Sequence, residues 1–118
     1  MCIRDRLNGP NGPVGNFPLI DIAEHQWHYI TQLMDKLRAG ECSEICARKE
    51  ALAQFEIERI AAAKTTVWFT GGCRSWYLDA SGRNHVLWPD FTFRFRKRLS
   101  RFDWHDYEPI NQAASHPT

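Results

Sequence analysis

A single amphipathic pattern between residues 18 and 39 constrains the fold most. Apolar side chains recur there at steps of three and four residues, as one face of an α-helix requires. They are Leu19, Ala23, Trp27, Ile30, Met34 and Leu37. Asn16 is the expected N-cap, Pro18 suits the first turn, and Gly40 suits the position just after the last turn. The pattern therefore predicts a helix over residues 18–39.

The segment just before this helix is dense in glycine and proline. It reads GPNGPVGN and covers residues 9–16. Glycine permits positive φ and close approach to the backbone, whereas proline stiffens the chain. A rigid loop that leads into a helix N-terminus can present N–H groups and the positive end of the helix dipole to an electron-rich ligand. A simple turn with a helix cap is the alternative interpretation.

Two further helices are predicted. The first covers residues 49–64, and its broad apolar side is interrupted by charges, which is typical of a helix on the surface of a larger body. The second runs from Pro89 to Phe102, because apolar residues fall four, four and three positions apart. The alternation at residues 92–96 would also suit a strand.

The remaining segments carry turn and strand signals. Short strands are predicted at 76–78 and 85–88, on either side of the Ser81-Gly82 turn, after an irregular loop. Residues 41–47 are predicted as a connection. The polar tail, residues 108–118, is predicted to fray.

Composition limits the possible functions. The chain has 118 residues, 43% of them apolar, and a net charge of +1, so no global charge favours nucleic acid or a membrane. No apolar run is long enough for a transmembrane helix. The four cysteines contain no C-x-x-C pair, so we expect free thiols and a cytoplasmic protein.

Other local patterns give weaker hypotheses. Basic residues between 94 and 101 could bind nucleic acid, but acidic residues follow directly, and a solvated helix face is the favoured interpretation. The many aromatic residues after position 65 could form the binding face of a small helical protein-interaction module. His25 and His28 lack partners for a metal site. No catalytic spacing, P-loop or G-x-G-x-x-G motif is recognisable.

Three stretches together resemble the C-terminal part of flavin-dependent monooxygenases of the Baeyer–Villiger and flavin-containing type. They are GPNGPVGNFPLIDIAEHQWHYI, TTVWFTGGCRSWYLDASGRNHVLWPDFTFRFRKRL and FDWHDYE. The two most specific parts are the G-P-N-x-P-x-G-N loop and the C-x-S-W-Y-L-D-x-x-G-R-N-x-x-L-W-P stretch. The resemblance covers residues 7–107.

The resemblance implies a larger enzyme of α/β class with Rossmann-like domains for FAD and NADP, of which this chain is a C-terminal fragment, mostly α with a short β-hairpin. Such enzymes insert one oxygen atom from O₂ into a ketone or a heteroatom substrate. The resemblance places the glycine loop against the flavin, and Trp76 near the nicotinamide cofactor. A core aromatic is the alternative for Trp76. The implied cofactor-binding residues of the loop are Gly9, Pro10, Asn11, Gly12, Val14, Gly15 and Asn16.

The resemblance also divides the chain. Residues 7–107 correspond to the monooxygenase and 108–118 to the polar tail. The first six residues, MCIRDR, are those that a transposon end used in sequencing libraries encodes. We therefore expect residues 1–6 to be an adapter artefact and the biological sequence to begin near Leu7. Residues that manage the oxygen chemistry are expected upstream, so no catalytic residue and no metal ligand is predicted here.

Overall fold

The computed structural model describes residues 11–13, 18–72 and 76–111. Their elements, in chain order, are α1 (Leu19–Arg38), β1 (Glu44–Ala47), α2 (Lys49–Ala63), α3 (Val67–Thr70), α4 (Thr92–Leu99), a 3₁₀ turn (Trp104–Asp106) and β2 (Tyr107–Ile110). The expectation of a mostly α segment with a short antiparallel strand pair is confirmed, but the pair joins β1 to β2 instead of the residues predicted to form the β-hairpin.

The first helix, α1, matches the predicted range closely. Its N-cap is Pro18, so the prediction of Asn16 as the N-cap is wrong; Asn16 itself lies outside the described residues. The Pro18 carbonyl accepts a hydrogen bond from the Ile22 N–H at 3.3 Å, and this bond starts the helix. At the other end Gly40 has φ 73°, as expected for the glycine after a helix.

The two-stranded sheet joins distant parts of the chain. β1 pairs with β2 in antiparallel register, from Glu44 opposite Ile110 to Ala47 opposite Tyr107. The predictions of a plain connection at 41–47 and of a frayed chain from Glu108 onward are therefore wrong for these residues. Each strand has four residues, too few for an alternating pattern to stand out, and each is ordered by a partner about 60 residues away.

The strands predicted at 76–78 and 85–88 do not form a hairpin among the described residues. A single antiparallel bridge joins Leu78 to Asn84, around a turn in which Gly82 has φ 76°. The carboxylate of Asp79 accepts the backbone N–H groups of Ser81 and Arg83 at 2.8 and 2.9 Å. The Asp79 carboxylate thus accepts backbone N–H groups that would pair between the strands of a β-hairpin. This turn therefore forms in place of the predicted β-hairpin.

The segment before this turn also differs from the prediction. The predicted irregular loop after α2 contains the single helical turn α3. The third predicted helix is present but shorter, because α4 ends at Leu99 and begins after Phe91. The strand alternative for residues 92–96 is wrong. Helical spacing buries Phe95, whereas Phe93 stays 62% exposed.

The apolar core is thin. Apart from glycine and proline, five apolar residues of the described part are buried: Ile22, Cys42, Ala63, Leu87 and Phe95. The radius of gyration is 17.0 Å, whereas a compact domain of this length would have about 13 Å. As predicted for a helix on a larger body, α2 leaves Leu52 and Ile57 exposed by 58% and 63%.

Candidate functional site

The glycine loop is held by backbone pairing to the segment 86–88. The Asn11 N–H donates to the Val86 carbonyl at 2.8 Å, and the Trp88 N–H donates to the Gly12 carbonyl at 3.0 Å. Gly12 and Leu87 form a parallel bridge, and both are buried. The two most specific stretches of the sequence motif are therefore in direct contact.

Asn11 combines two features that mark a loop shaped for contact with another group. Its φ is 65°, in the left-handed region that glycine and asparagine tolerate best. Its side-chain Oδ1 is buried and has no hydrogen-bond partner in the described structure. Because buried polar atoms are normally paired, this acceptor suits a donor supplied by a ligand or another chain segment.

The other predicted loop residues lie outside the described part of the chain. They are Gly9, Pro10, Val14, Gly15 and Asn16. Their assignment to cofactor binding stays a prediction.

The segment opposite the loop is shaped by Asn84, which is only 4% exposed. Its Oδ1 accepts the backbone N–H groups of Val86 and Leu87 at 3.0 and 2.9 Å. This is the local turn that an asparagine side chain stabilises best. Its Nδ2 is buried without a partner in the described structure.

Arg59 of α2 supports this turn from behind. Its side chain is buried, and its Nη1 donates to the Asn84 carbonyl. Its Nε and Nη2 donate to the two oxygens of Glu56 at 3.2 and 2.7 Å, which neutralises the buried charge. The hydrogen bonds from Arg59 hold the pKa of Glu56 below its usual value.

A second polar chain reaches Arg59 from the turn at residues 79–85. The His85 ring lies between Asp79, whose Oδ2 is 2.8 Å from Nε2, and Arg59, whose Nη2 is 3.5 Å from Nδ1. Hydrogen bonds from the Ser81 hydroxyl and the Arg83 N–H hold the pKa of Asp79 well below its ordinary range. The carboxylate therefore stays charged and keeps the turn closed.

A cavity of about 320 Å³ opens on the side of the loop that carries Asn11. Its walls include the rings of Phe55, Trp88 and Phe95, which contact one another at centroid distances of 6.5 and 5.4 Å. Tyr29 also lines the cavity, and its hydroxyl lies 2.7 Å from that of Tyr107. Burial raises the pKa of Tyr29, so its hydroxyl stays protonated near neutral pH.

Trp76 lies away from the core. Its side chain is 78% exposed, and its ring lies 4.0 Å from the Tyr77 ring, centroid to centroid. Tyr77 in turn meets Trp68 edge to face at 6.4 Å. Trp76 is thus exposed in this segment, and its assignment to the nicotinamide cofactor stays a prediction.

The basic residues of α4 are largely neutralised by carboxylates. Arg94 pairs with Asp90 at 2.9 Å and Arg98 with Glu58 at 3.0 Å, while Arg96 pairs with Asp21 of α1. These contacts agree with a solvated helix face. Within the described ranges, no group of side chains could hold a metal ion, and no helix is both long and apolar enough to cross a membrane.

Arg59 and Asn84 were not identified as site residues from the sequence. Arg59 lies within the apolar side of α2, where a charged residue first suggests an exposed interruption. The N-x-x-L spacing that begins at Asn84 is a usable signal, because asparagine often accepts backbone N–H groups two or three residues later.

Several known proteins are similar to this chain over most of its length. A Baeyer-Villiger monooxygenase of Streptomyces coelicolor is 38% identical over 106 residues, which is 89% of this chain and 20% of that protein. A Baeyer-Villiger monooxygenase of Pseudomonas aeruginosa is 33% identical over 98 residues, 82% of this chain and 19% of that protein. A probable FAD-binding monooxygenase of Aspergillus luteorubrus is 30% identical over 101 residues, 85% of this chain and 21% of that protein.

No protein-family model matches the chain, and no solved structure matches it significantly. The chain spans about one-fifth of the length of the curated relatives that it matches. Those relatives are nevertheless all named as monooxygenases, and the matched regions cover 82–89% of this chain. The chain belongs to the Baeyer–Villiger and FAD-binding monooxygenase family, as a segment about one-fifth of a full-length member.

Proposed function

We propose that the chain is the C-terminal part of an FAD- and NADPH-dependent monooxygenase, and that its glycine loop lies against the flavin. The observation that carries the proposal is the pairing of Asn11 and Gly12 with residues 86–88, which fixes a buried Gly12 beside an Asn11 that has a left-handed backbone and an unpaired acceptor. The intact enzyme is proposed to be of α/β class, with Rossmann-like domains upstream.

The residues of the loop fit a flavin. The edge of the isoalloxazine ring carries hydrogen-bond donors as well as acceptors, and the unpaired Oδ1 of Asn11 is an acceptor. The buried Gly12 has no side chain, so a flat ring can approach its backbone closely. The N-terminus of α1 follows and favours negative charge, which reduced flavin carries.

FAD, when bound and reduced by NADPH, supplies the activation of O₂ that transfers one oxygen atom to a ketone or to a nitrogen or sulfur atom. The contribution of this chain is to hold the backbone against the ring and to exclude water from it. Trp76, with its exposed indole, is proposed to contact the nicotinamide cofactor. The cytoplasmic location stays a prediction.

The exposed apolar surface supports a segment of a larger protein. Leu19 and Ile20 at the start of α1 are 51% and 76% exposed, and Phe91 and Phe93 are 67% and 62% exposed with their rings stacked 5.6 Å apart. Soluble proteins rarely leave such residues clustered without a partner surface. The remaining four-fifths of the relatives' length would supply that surface. The interaction-module and nucleic-acid alternatives are not favoured.

The decisive experiment begins with the contiguous genomic reading frame. The complete polypeptide should purify with bound FAD and should oxidise NADPH in the presence of O₂ and a ketone or sulfide. Gly12→Val should lower flavin occupancy, because a branched side chain would enter a buried contact. A complete polypeptide without flavin, or a Gly12→Val variant with full flavin content and an unchanged rate of reduction, would contradict the proposal.

A further inference from the structure

We propose that Asn84 is a positioning residue of the glycine loop, and that Arg59, held by Glu56, anchors it to α2. The part of this inference that concerns flavin rests on the proposed function. The part that concerns the loop itself follows from the contacts within the chain.

Asn84 controls the backbone on which the loop is built. Its Oδ1 accepts the N–H groups of both Val86 and Leu87, at 3.0 and 2.9 Å. Leu87 is 2% exposed, so water cannot replace the lost acceptor at its N–H. Without the Asn84 side chain, this buried donor would be unpaired, and the segment would have to rearrange.

The segment that Asn84 shapes is the same one that pairs with the glycine loop. The Val86 carbonyl accepts from Asn11, and the Trp88 N–H donates to Gly12. A shift at residues 86–88 therefore moves the backbone of Asn11 and Gly12 directly. Asn84 does not need to touch the loop to set its position.

Arg59 fixes Asn84 in turn. Its guanidinium donates to the Asn84 carbonyl and is clamped on its other edge by both oxygens of Glu56. This planar, bidentate arrangement has a defined orientation, which a flexible lysine would not provide. The path from α2 to the loop thus runs through hydrogen bonds and a buried side chain at each step.

The chemistry of Asn84 indicates that its acceptor is the group that matters. Its Nδ2 has no partner in the described structure, so the amide hydrogens contribute no bond there. Aspartate would keep an oxygen acceptor at the same distance from the backbone, whereas alanine would remove it. The pair of variants therefore separates the acceptor from the rest of the side chain.

The test uses the complete enzyme with the variants Asn84→Ala and Asn84→Asp. Hydrogen–deuterium exchange is followed at the amides of Asn11 and Trp88, and at Ser43 and Arg48, whose N–H groups donate to Ile110 and Asp106 far from the loop. In Asn84→Ala we expect exchange at Asn11 and Trp88 to rise by about tenfold. Ser43 and Arg48 should not change, and Asn84→Asp should restore slow exchange.

FAD affinity is the second measurement. Asn84→Ala should weaken FAD binding by about tenfold, and Asn84→Asp should recover most of it. Equal acceleration at all four amides would indicate general destabilisation and would overturn the proposal, as would an Asn84→Asp variant that behaves like Asn84→Ala. If the wild-type enzyme binds no FAD, the proposed function fails, while the exchange data still decide whether Asn84 positions the loop.

Discussion

Replacement of Phe95 by alanine tests how α4 is held to the rest of the chain. Phe95 is 7% exposed, and its ring meets Trp88 edge to face at a centroid distance of 5.4 Å. Truncation of a buried phenylalanine costs about 3–5 kcal/mol. Because Phe95 already borders the cavity of about 320 Å³, solvent can fill part of the new space. We therefore expect the lower end, about 3 kcal/mol.

Phe93→Ala is a matched control on the same helix. It removes the same side chain and makes the same change in helix propensity, but Phe93 is 62% exposed. In the isolated chain its cost should be within about 0.5 kcal/mol of zero. The difference between the two variants thus isolates the burial of Phe95.

Thermal unfolding of the 118-residue chain, followed by far-UV circular dichroism, measures both variants. A loss of about 3 kcal/mol should lower the Tm of Phe95→Ala by about 10–20 °C, or leave it largely unfolded at room temperature. Phe93→Ala should melt like the wild type. Equal Tm values for the two variants would show that α4 does not present Phe95 to the core. In the complete enzyme, a selective loss for Phe93→Ala would identify its covered surface.

Three further predictions concern Glu56, the isolated chain and Trp76. Because the bond from Arg59 lowers the pKa of Glu56, the pair stabilises the fold above the ordinary glutamate pKa of 4.5 and loses this effect as pH falls through the lowered value. Urea unfolding of Glu56→Gln should therefore show lower stability than the wild type at pH 7 and convergence with it in acid; a constant difference would refute the assignment. The isolated chain should bind no FAD, so a yellow preparation with stoichiometric flavin would contradict its status as a segment. In the complete enzyme, Trp76→Ala should raise the KM for NADPH with an unchanged Tm, because the variant would lose the proposed cofactor contact; a large stability loss with normal NADPH kinetics would remove Trp76 from the site.

The helices could be predicted from sequence because their signals are local. α1 carries apolar positions at helical spacing along its length, α2 is rich in alanine, and Gly40 ends α1 as its position predicts. The sheet could not be predicted in the same way. Four residues of β1 gain their partners only when β2, about 60 residues later, lies beside them. The strand propensity of these residues alone does not predict that pairing.

The residues of the candidate site also differ in how far they could be predicted from sequence. Glycine and proline density marks residues 9–16 as an unusual loop. The assignment of Asn11 and Gly12 to cofactor binding comes from the family resemblance and stays a prediction. Asn84 was not selected, although its N-x-x-L spacing with Leu87 is a local signal. Arg59 could not be selected, since the carbonyl of Asn84 that it binds lies 25 residues further along the chain. In the sequence, Arg59 interrupts the apolar side of α2. Its burial is explained by its hydrogen bonds to the Glu56 carboxylate and the Asn84 carbonyl.

The support of the loop by residues of this same segment has a consequence for how a cofactor would meet it. Asn11 and Gly12 are fixed by residues 86–88, which are fixed by Asn84 and behind it by α2, and none of these contacts requires another chain segment. Asn11 and Gly12, held in this way, have already lost most of their conformational freedom before any ligand arrives. The unfavourable φ of Asn11 is therefore maintained by the fold and need not be imposed by the ligand. The hydrogen-bonded path from α2 to Asn11 and Gly12, rather than the burial of many apolar side chains, keeps these two residues in place. A small apolar core is therefore sufficient for their support.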